Sequence, residues 1–458
     1  MDAGAARIDW RAVVALAAPM IANNSIQAVL NLTDTWFIGR LSTDALAAIG
    51  AVQWLVFVAI MLFGGVGLAV QTVVAQAFGA RRFGTASRAT WRGVWTSLAT
   101  APIFVALGLA GRHVLTPFGL DAHVTALALQ FWQPRIGGGC LAVTMWALLG
   151  FFNGIGKTTV ALWINVAVGA INIVLNQLFI FDLGWGIAGS AWATNCAMLI
   201  GCGVAAAVFL GERYRPRYRS RYTWRTRADL LLVHWRLGFP MGLMIAADMI
   251  GVALFQIMQV RHSAVDGAAT QVVMMLTSIA YMPTVGIALS GTTLVGQAIG
   301  AGDRDWALRI GNAIVWLACG YMASIGLLLG LSGPWLVPLF VGTHDAQAAQ
   351  VVALGVTLIW IGGAYQAFDG LNIASGCCLR GAGDATVPAV MVTALSWGIF
   401  VPLAYMATFN GDGWFALLPQ FGFGAVGGWT ALLVYIVLLG LAMLWRWRAR
   451  AWQRIAIS

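Results

Sequence analysis

The sequence predicts an all-α polytopic membrane protein with twelve transmembrane helices in two parallel-repeat six-helix bundles. Three observations lead there. Only 9% of the 458 residues are charged and 60% are hydrophobic, with a mean hydropathy of +0.83. A soluble chain needs roughly 25% charged residues to cover its surface. The apolar residues also gather into runs near the ~20 residues that cross a bilayer, and the second half of the chain repeats the first.

The runs come in order. The first, 12–38, is too long for the apolar core of a cleavable signal peptide, so it reads as a spanning helix. Runs at 50–78, 93–112, 124–150, 159–180 and 188–210 complete a first set of six. A second set follows at 231–260, 268–299, 308–331, 346–375, 386–408 and 424–445. The expected organisation is an N-lobe over 1–211, a basic cytoplasmic linker over 212–230 and a C-lobe over 231–458. The 55 glycines fit membrane helices that approach closely.

Basic residues orient the spans. With the N-terminus inside, every one of the 26 Lys and Arg residues except Arg40, Arg112, Arg135 and Arg261 falls on the cytoplasmic side. Both termini are therefore expected in the cytoplasm. The net charge of +10 is a topology signal rather than a nucleic-acid signature. The linker from Glu212 to Asp229 carries seven arginines, five of them alternating from Arg213 to Arg221. It reads first as the positive-inside linker between the two bundles; the alternative reading is a segment that binds anionic lipid head groups.

One offset, 221 residues, superposes the halves. It matches Pro19 with Pro240, Arg40 with Arg261, Gln76 with Gln297, Gly79 with Gly300, Trp95 with Trp316 and Pro117 with Pro338. Further along, Gly154-Ile155-Gly156 matches Gly381-Ala382-Gly383 at 227. An even number of helices per copy gives both copies the same orientation, the parallel repeat of transporters that bind substrate between their halves.

Ionisable residues inside hydrocarbon are the functional candidates, because an aspartate at a helix centre costs roughly 2.5–3.5 kcal/mol. Three aspartates stand within spans: Asp34, Asp248 and Asp369. Asn172 and Asn176, four residues apart, share a helix face, and Thr194 adds a hydroxyl. Such oxygens suit a hard cation or a proton relay. The amides and the hydroxyl could equally bond neighbouring helices and nothing more. Tyr365 and Asp369 again stand four apart, joining an aromatic face to a carboxylate that can hold a monovalent cation.

Other chemistries find no support. The six cysteines form no CxxC pair and lie in apolar runs. Gly154-Ile155-Gly156-Lys157-Thr158 resembles the end of a phosphate-binding loop, but Phe151 stands where that motif needs glycine. No clustered catalytic or metal-ligating side chains are evident, so no enzyme is expected. No cofactor is expected either, and transport would draw on an ion gradient.

Several motifs resemble the MATE family of multidrug and toxic compound extrusion transporters, in its NorM-type branch. They are Ala18-Pro19, Leu32-Thr33-Asp34-Thr35, Val74-Ala75-Gln76-Ala77-Phe78-Gly79 and Gly238-Phe239-Pro240. The stretch Leu294-Val295-Gly296-Gln297-Ala298-Ile299-Gly300-Ala301-Gly302-Asp303 joins them, as does Tyr365-Gln366-Ala367-Phe368-Asp369. The most specific is Leu379-Arg380-Gly381-Ala382-Gly383-Asp384-Ala385-Thr386. The resemblance implies a monomeric antiporter of a bacterial inner membrane that exports small cationic, amphipathic drugs in exchange for Na+ or H+. It implies an N-lobe cation or proton site at Asp34, Asn172, Asn176 and Thr194. A C-lobe cation site at Asp248, Tyr365 and Asp369 is implied too, with aspartate at 248 where that branch usually carries glutamate. The alternative within the same superfamily is a lipid-linked oligosaccharide flippase, which needs several cavity arginines for pyrophosphate.

Overall fold

The computed structural model describes residues 10–116, 122–225, 231–341, 347–411, 413 and 419–454. Arg7, both chain termini, Pro117 of the repeat, Arg227 with the end of the basic linker, and Asp412 lie outside the described residues. Every regular element among the described residues is helical. The first six passes are α1 (Trp10–Gly39), α2 (Thr43–Gly79), α3 (Phe83–Leu109), α4 (Ala122–Gly154), α5 (Thr158–Asp182) and α6 (Gly186–Leu210). The second six are α7 (Leu231–His262), α8 (Ala264–Gly300), α9 (Arg304–Phe340), α10 (Ala348–Gly381), α11 (Thr386–Thr408) and α12 (Gly424–Arg448). Ten of these helices are long and apolar enough to cross a membrane, and α4 makes an eleventh if its bent halves count as one span. With α1, the twelve expected passes are all present as helices.

Local sequence explains the irregularities. α4 bends by 41° between Ala122–Gly137 and Gly139–Gly154, where three glycines follow Pro134. Asn195 of α6 is inserted at the break and donates to the Pro134 carbonyl at 2.6 Å. Glycine at 138 makes room for it, since a Cβ there would collide with the Asn195 amide. The glycine pair matched by the repeat, Gly156 and Gly383, adopts φ of +75° and +90° just past α4 and α10. Each lets the next residue, Lys157 or Asp384, bond back to a carbonyl five residues earlier. These are helix-ending turns, which is what the apparent phosphate-loop sequence encodes.

The chain divides into two compact units. One comprises Met1–Ala246 with Thr292–Arg304, the other Ala247–Gly291 with Asp305–Ala456. In the first, α2 packs on both halves of α4 and on α3. Phe151 anchors an aromatic cluster with Phe152, Phe209, Tyr214 and Tyr218. Tyr214 and Tyr218 belong to the basic linker, so its first half is a docked strap and not a free loop. Two α3 tryptophans, Trp91 and Trp95, hold it further by donating to the carbonyls of Ser220 and Trp224 at 2.8 and 3.0 Å.

The ends of α2 and α8 also meet within this unit. A Cβ on Gly79 would strike the backbone of Gln297, and one on Gly300 would strike the backbone of Gln76. Both glycines and both glutamines are pairs matched by the repeat, so each helix fills the gap in its counterpart. In the second unit α10 lies along α12. A Cβ on Gly440 of α12 would strike the Phe368 carbonyl of α10.

Candidate functional site

In the first unit, Asp34 of α1 faces α5. Asn176 closes the regular part of α5 and donates to Asp34 Oδ1 at 2.6 Å. The same amide nitrogen reaches Asn172 Oδ1 at 3.2 Å, Asn172 donates to Thr194 Oγ1 of α6 at 3.3 Å, and Thr194 donates to the Ser190 carbonyl at 3.0 Å. The structure thus links Asp34, Asn176, Asn172 and Thr194 into one hydrogen-bonded chain across three helices. The buried Asn176 Oδ1 has no partner. A second rung between the same helices joins Asn165 to Asn23 at 2.5 Å.

A cavity of about 80 Å³ opens beside this chain, lined by Asp34, Asn172 and Thr194 together with Phe131 and Trp146. Liquid water occupies ~30 Å³ per molecule, so the space suits an ion with a water or two, or one small polar group. Arg135 of α4 also lines it. In the sequence this arginine is one of the four basic residues that do not fall on the cytoplasmic side. Arg135 stands just before the bend at Gly138 and lines the cavity wall, where its charge acts on Asp34. Its Nη1 is enclosed and has no partner. The signal available in the sequence was the run of Pro134, Arg135 and three glycines.

In the second unit, Asp248 of α7 accepts a hydrogen bond from the Tyr435 hydroxyl of α12 at 2.6 Å. Tyr435 is fully buried and stacks on Phe400 with centroids 5.0 Å apart. Asp369 of α10 accepts from Asn372 on its own helix at 3.3 Å. The Asp248 and Asp369 charges act on each other and on the phenol of Tyr281 from α8. Tyr365, one turn before Asp369, is buried with its ring stacked on Trp429 at 6.3 Å, which occupies one aromatic face. Sequence reasoning missed Tyr435 and Tyr281, since no spacing connects them to the acids.

A π-helical turn interrupts the fifth helix of each repeat, at Gln177–Asp182 in α5 and at Ser396–Phe400 in α11. The first follows directly on Asn176. The second packs on α7 where Trp397 donates to the Ala247 carbonyl at 3.3 Å, one residue before Asp248. Such turns favour functional sites, because the extra residue re-aims neighbouring side chains. Asp384 of the arginine–glycine motif plays a different part: it takes Arg446 of α12 in a 2.8 Å ion pair while almost wholly buried. That contact ties α12 to the end of α10.

A scan against family models matches the MatE family over residues 19–178 and again over 240–406. The chain belongs to the MatE family. The two matches start 221 residues apart, the offset of the internal repeat. Among curated relatives, a probable multidrug resistance protein NorM of Mesorhizobium japonicum is 30% identical over 488 aligned positions, covering 100% of this chain and 98% of its own. A protein of the same description from Agrobacterium fabrum is 27% identical and covers 93% and 90%. Among solved structures, a MATE in the bent conformation superposes with a TM-score of 0.84 at 19% identity, covering 97% and 96%. An outward-facing multidrug resistance MATE family transporter of the MOP superfamily gives 0.82 at 19% identity over the same shares. This MatE protein is a multi-pass membrane transporter and not an enzyme.

Proposed function

We propose that this MatE protein is a secondary active multidrug efflux antiporter of a bacterial inner membrane, exporting small cationic, amphipathic drugs in exchange for Na+ or H+. The carrying observation is that each unit holds intramembrane carboxylates beside neutral oxygen donors: Asp34 with Asn172, Asn176 and Thr194, and Asp248 with Asp369 and Tyr435. Relatives named as multidrug resistance proteins support the same reading. Both termini are taken as cytoplasmic and the protein as a monomer.

The chemistry follows from charge. Two aspartates within reach of each other's charge in a low-dielectric interior repel until a cation or proton neutralises one of them. Asp248 and Asp369 are therefore read as the coupling-ion site, with Tyr365 shaping it and Tyr435 holding Asp248 in place. Asp34 and its amides form the second cation or proton site, where amide and hydroxyl oxygens replace water around the bound species. Ion and drug draw on limited negative charge, so each weakens the binding of the other by the same factor.

Cells expressing the protein should exclude ethidium, and collapse of the ion gradients should end the exclusion. Ethidium accumulation equal to that of cells lacking the protein would overturn the reading.

A further inference from the structure

We propose that Arg215, Arg219 and Tyr222 of the linker form a binding site for the phosphate of an anionic phospholipid, docked beside the exposed face of α3. The site stands apart from both carboxylate clusters and does not depend on what the protein exports.

The five alternating arginines from Arg213 to Arg221 are not equivalent once the strap is docked. Arg217 lies over the ring of Phe83, 4.1 Å from its centroid, so its charge is engaged at the start of α3. Arg215 and Arg219 stand on either side of it in sequence and line one open depression with Pro216 and Tyr222. The lining holds no acidic residue, and neither arginine has an ion pair among the described residues. The backbone enforces this gathering of like charge. Arg219 adopts φ of +52°, uncommon for a residue with a side chain, and its N–H bonds the Arg215 carbonyl at 2.9 Å. The strap is fixed on both sides of the turn, by Tyr214 and Tyr218 in the aromatic cluster and by a 2.7 Å hydrogen bond between Thr223 and Ser87 of α3. Two cations are thus held near each other before any anion arrives.

The donors and the surroundings name the occupant. Guanidinium forks match the oxygens of a phosphate in geometry and charge, and the exposed Tyr222 adds a hydroxyl. Two residues beyond Tyr222, the Trp224 carbonyl accepts from Trp95 of α3, and both indoles are exposed. Exposed tryptophans at the end of a spanning helix mark the depth of the lipid head groups. Past Trp95, α3 exposes Leu98, Ile103, Val105 and Leu109, an apolar surface on which acyl chains can lie. A soluble phosphate gains from the arginines alone, whereas a phospholipid gains from the arginines and from this surface.

The test is lipid retention by the purified full-length protein in neutral detergent, read by native mass spectrometry with phosphatidylglycerol and phosphatidylcholine of equal chain length. Wild type should prefer phosphatidylglycerol by about tenfold or more, as two basic residues acting on one anionic head group predict. Arg215→Gln combined with Arg219→Gln should remove most of the preference. Arg213→Gln combined with Arg221→Gln changes the net charge equally and should keep it. Phosphatidylglycerol should also raise the thermal midpoint of wild type where phosphatidylcholine does not, a measurement independent of how any variant folds. Inorganic phosphate at matched ionic strength should displace no lipid. Equal retention of the two lipids by wild type, no difference between their thermal midpoints, or equal losses in the two double variants would each overturn the site. Displacement by phosphate would assign the depression to a soluble anion and overturn it as well.

Discussion

Tyr435 donates its phenolic hydrogen to Asp248 across 2.6 Å, joining α12 to α7 at a carboxylate that stands within a membrane helix. A hydroxyl bonded to an ionised acceptor is among the stronger single hydrogen bonds in a protein. Its donor is fixed in turn, because the ring is buried and stacked on Phe400.

Tyr435→Phe should therefore keep the stack and lose only the bond, slowing ion-driven transport about tenfold. In an Asp248→Asn background the same change should have little further effect, since the two side chains act as one unit. A double-mutant cycle on transport rates checks this. Independent, additive losses would mean that Tyr435 acts through packing.

Asp34→Asn should abolish efflux while the protein still reaches the membrane and purifies as a single species. The amide retains the shape and can still meet Asn176, but it can neither carry a proton nor balance a cation. Asn176→Ala should weaken transport less severely, because it removes a ligand and leaves the charge. Wild-type drug resistance in cells carrying Asp34→Asn would reduce Asp34 to a helix-joining polar residue.

The reciprocal contact of α2 and α8 gives a steric prediction. Gly79→Val and Gly300→Val each place atoms where a backbone stands, and overpacking of this kind costs about 1–3 kcal/mol. Both should lower the thermal midpoint in detergent and slow transport. Gly320→Ala, at a glycine with open space around it, serves as the silent control. Equal midpoints for all three would show that the helix ends are not packed as described.

Much of this architecture was legible in the sequence because hydropathy and a repeat are both one-dimensional signals. The passes follow from apolar runs, and the helix-ending turns at Gly156 and Gly383 follow from glycines matched by the repeat. Asn172 and Asn176 could be put on one face because a helix returns every three to four residues. Spacing says nothing about which faces of different helices meet. Tyr435 lies 187 residues from Asp248, and Arg135 of α4 lines the cavity of Asp34 on α1. The π turns in α5 and α11 are hidden too, since they arise from packing. The linker is docked by Tyr214 and Tyr218, which no spacing in the sequence sets apart from the alternating arginines between them.

Topology has its own check. Reporter fusions at Ser458 and at Asp412 should report opposite sides of the membrane, with Ser458 in the cytoplasm. The same side for both would break the even-numbered repeat.

Ion coupling through the intramembrane carboxylates is the central claim, and transport in proteoliposomes tests it most directly. Purified wild type, Asp34→Asn and Asp369→Asn would be compared for ethidium movement under an imposed sodium gradient and then an imposed proton gradient. Wild type should respond to one of the gradients, and Asp369→Asn should lose that response. Full gradient-driven transport by Asp369→Asn under both conditions would contradict the assignment of the coupling ion to the second unit, and the same result for Asp34→Asn would contradict the account as a whole.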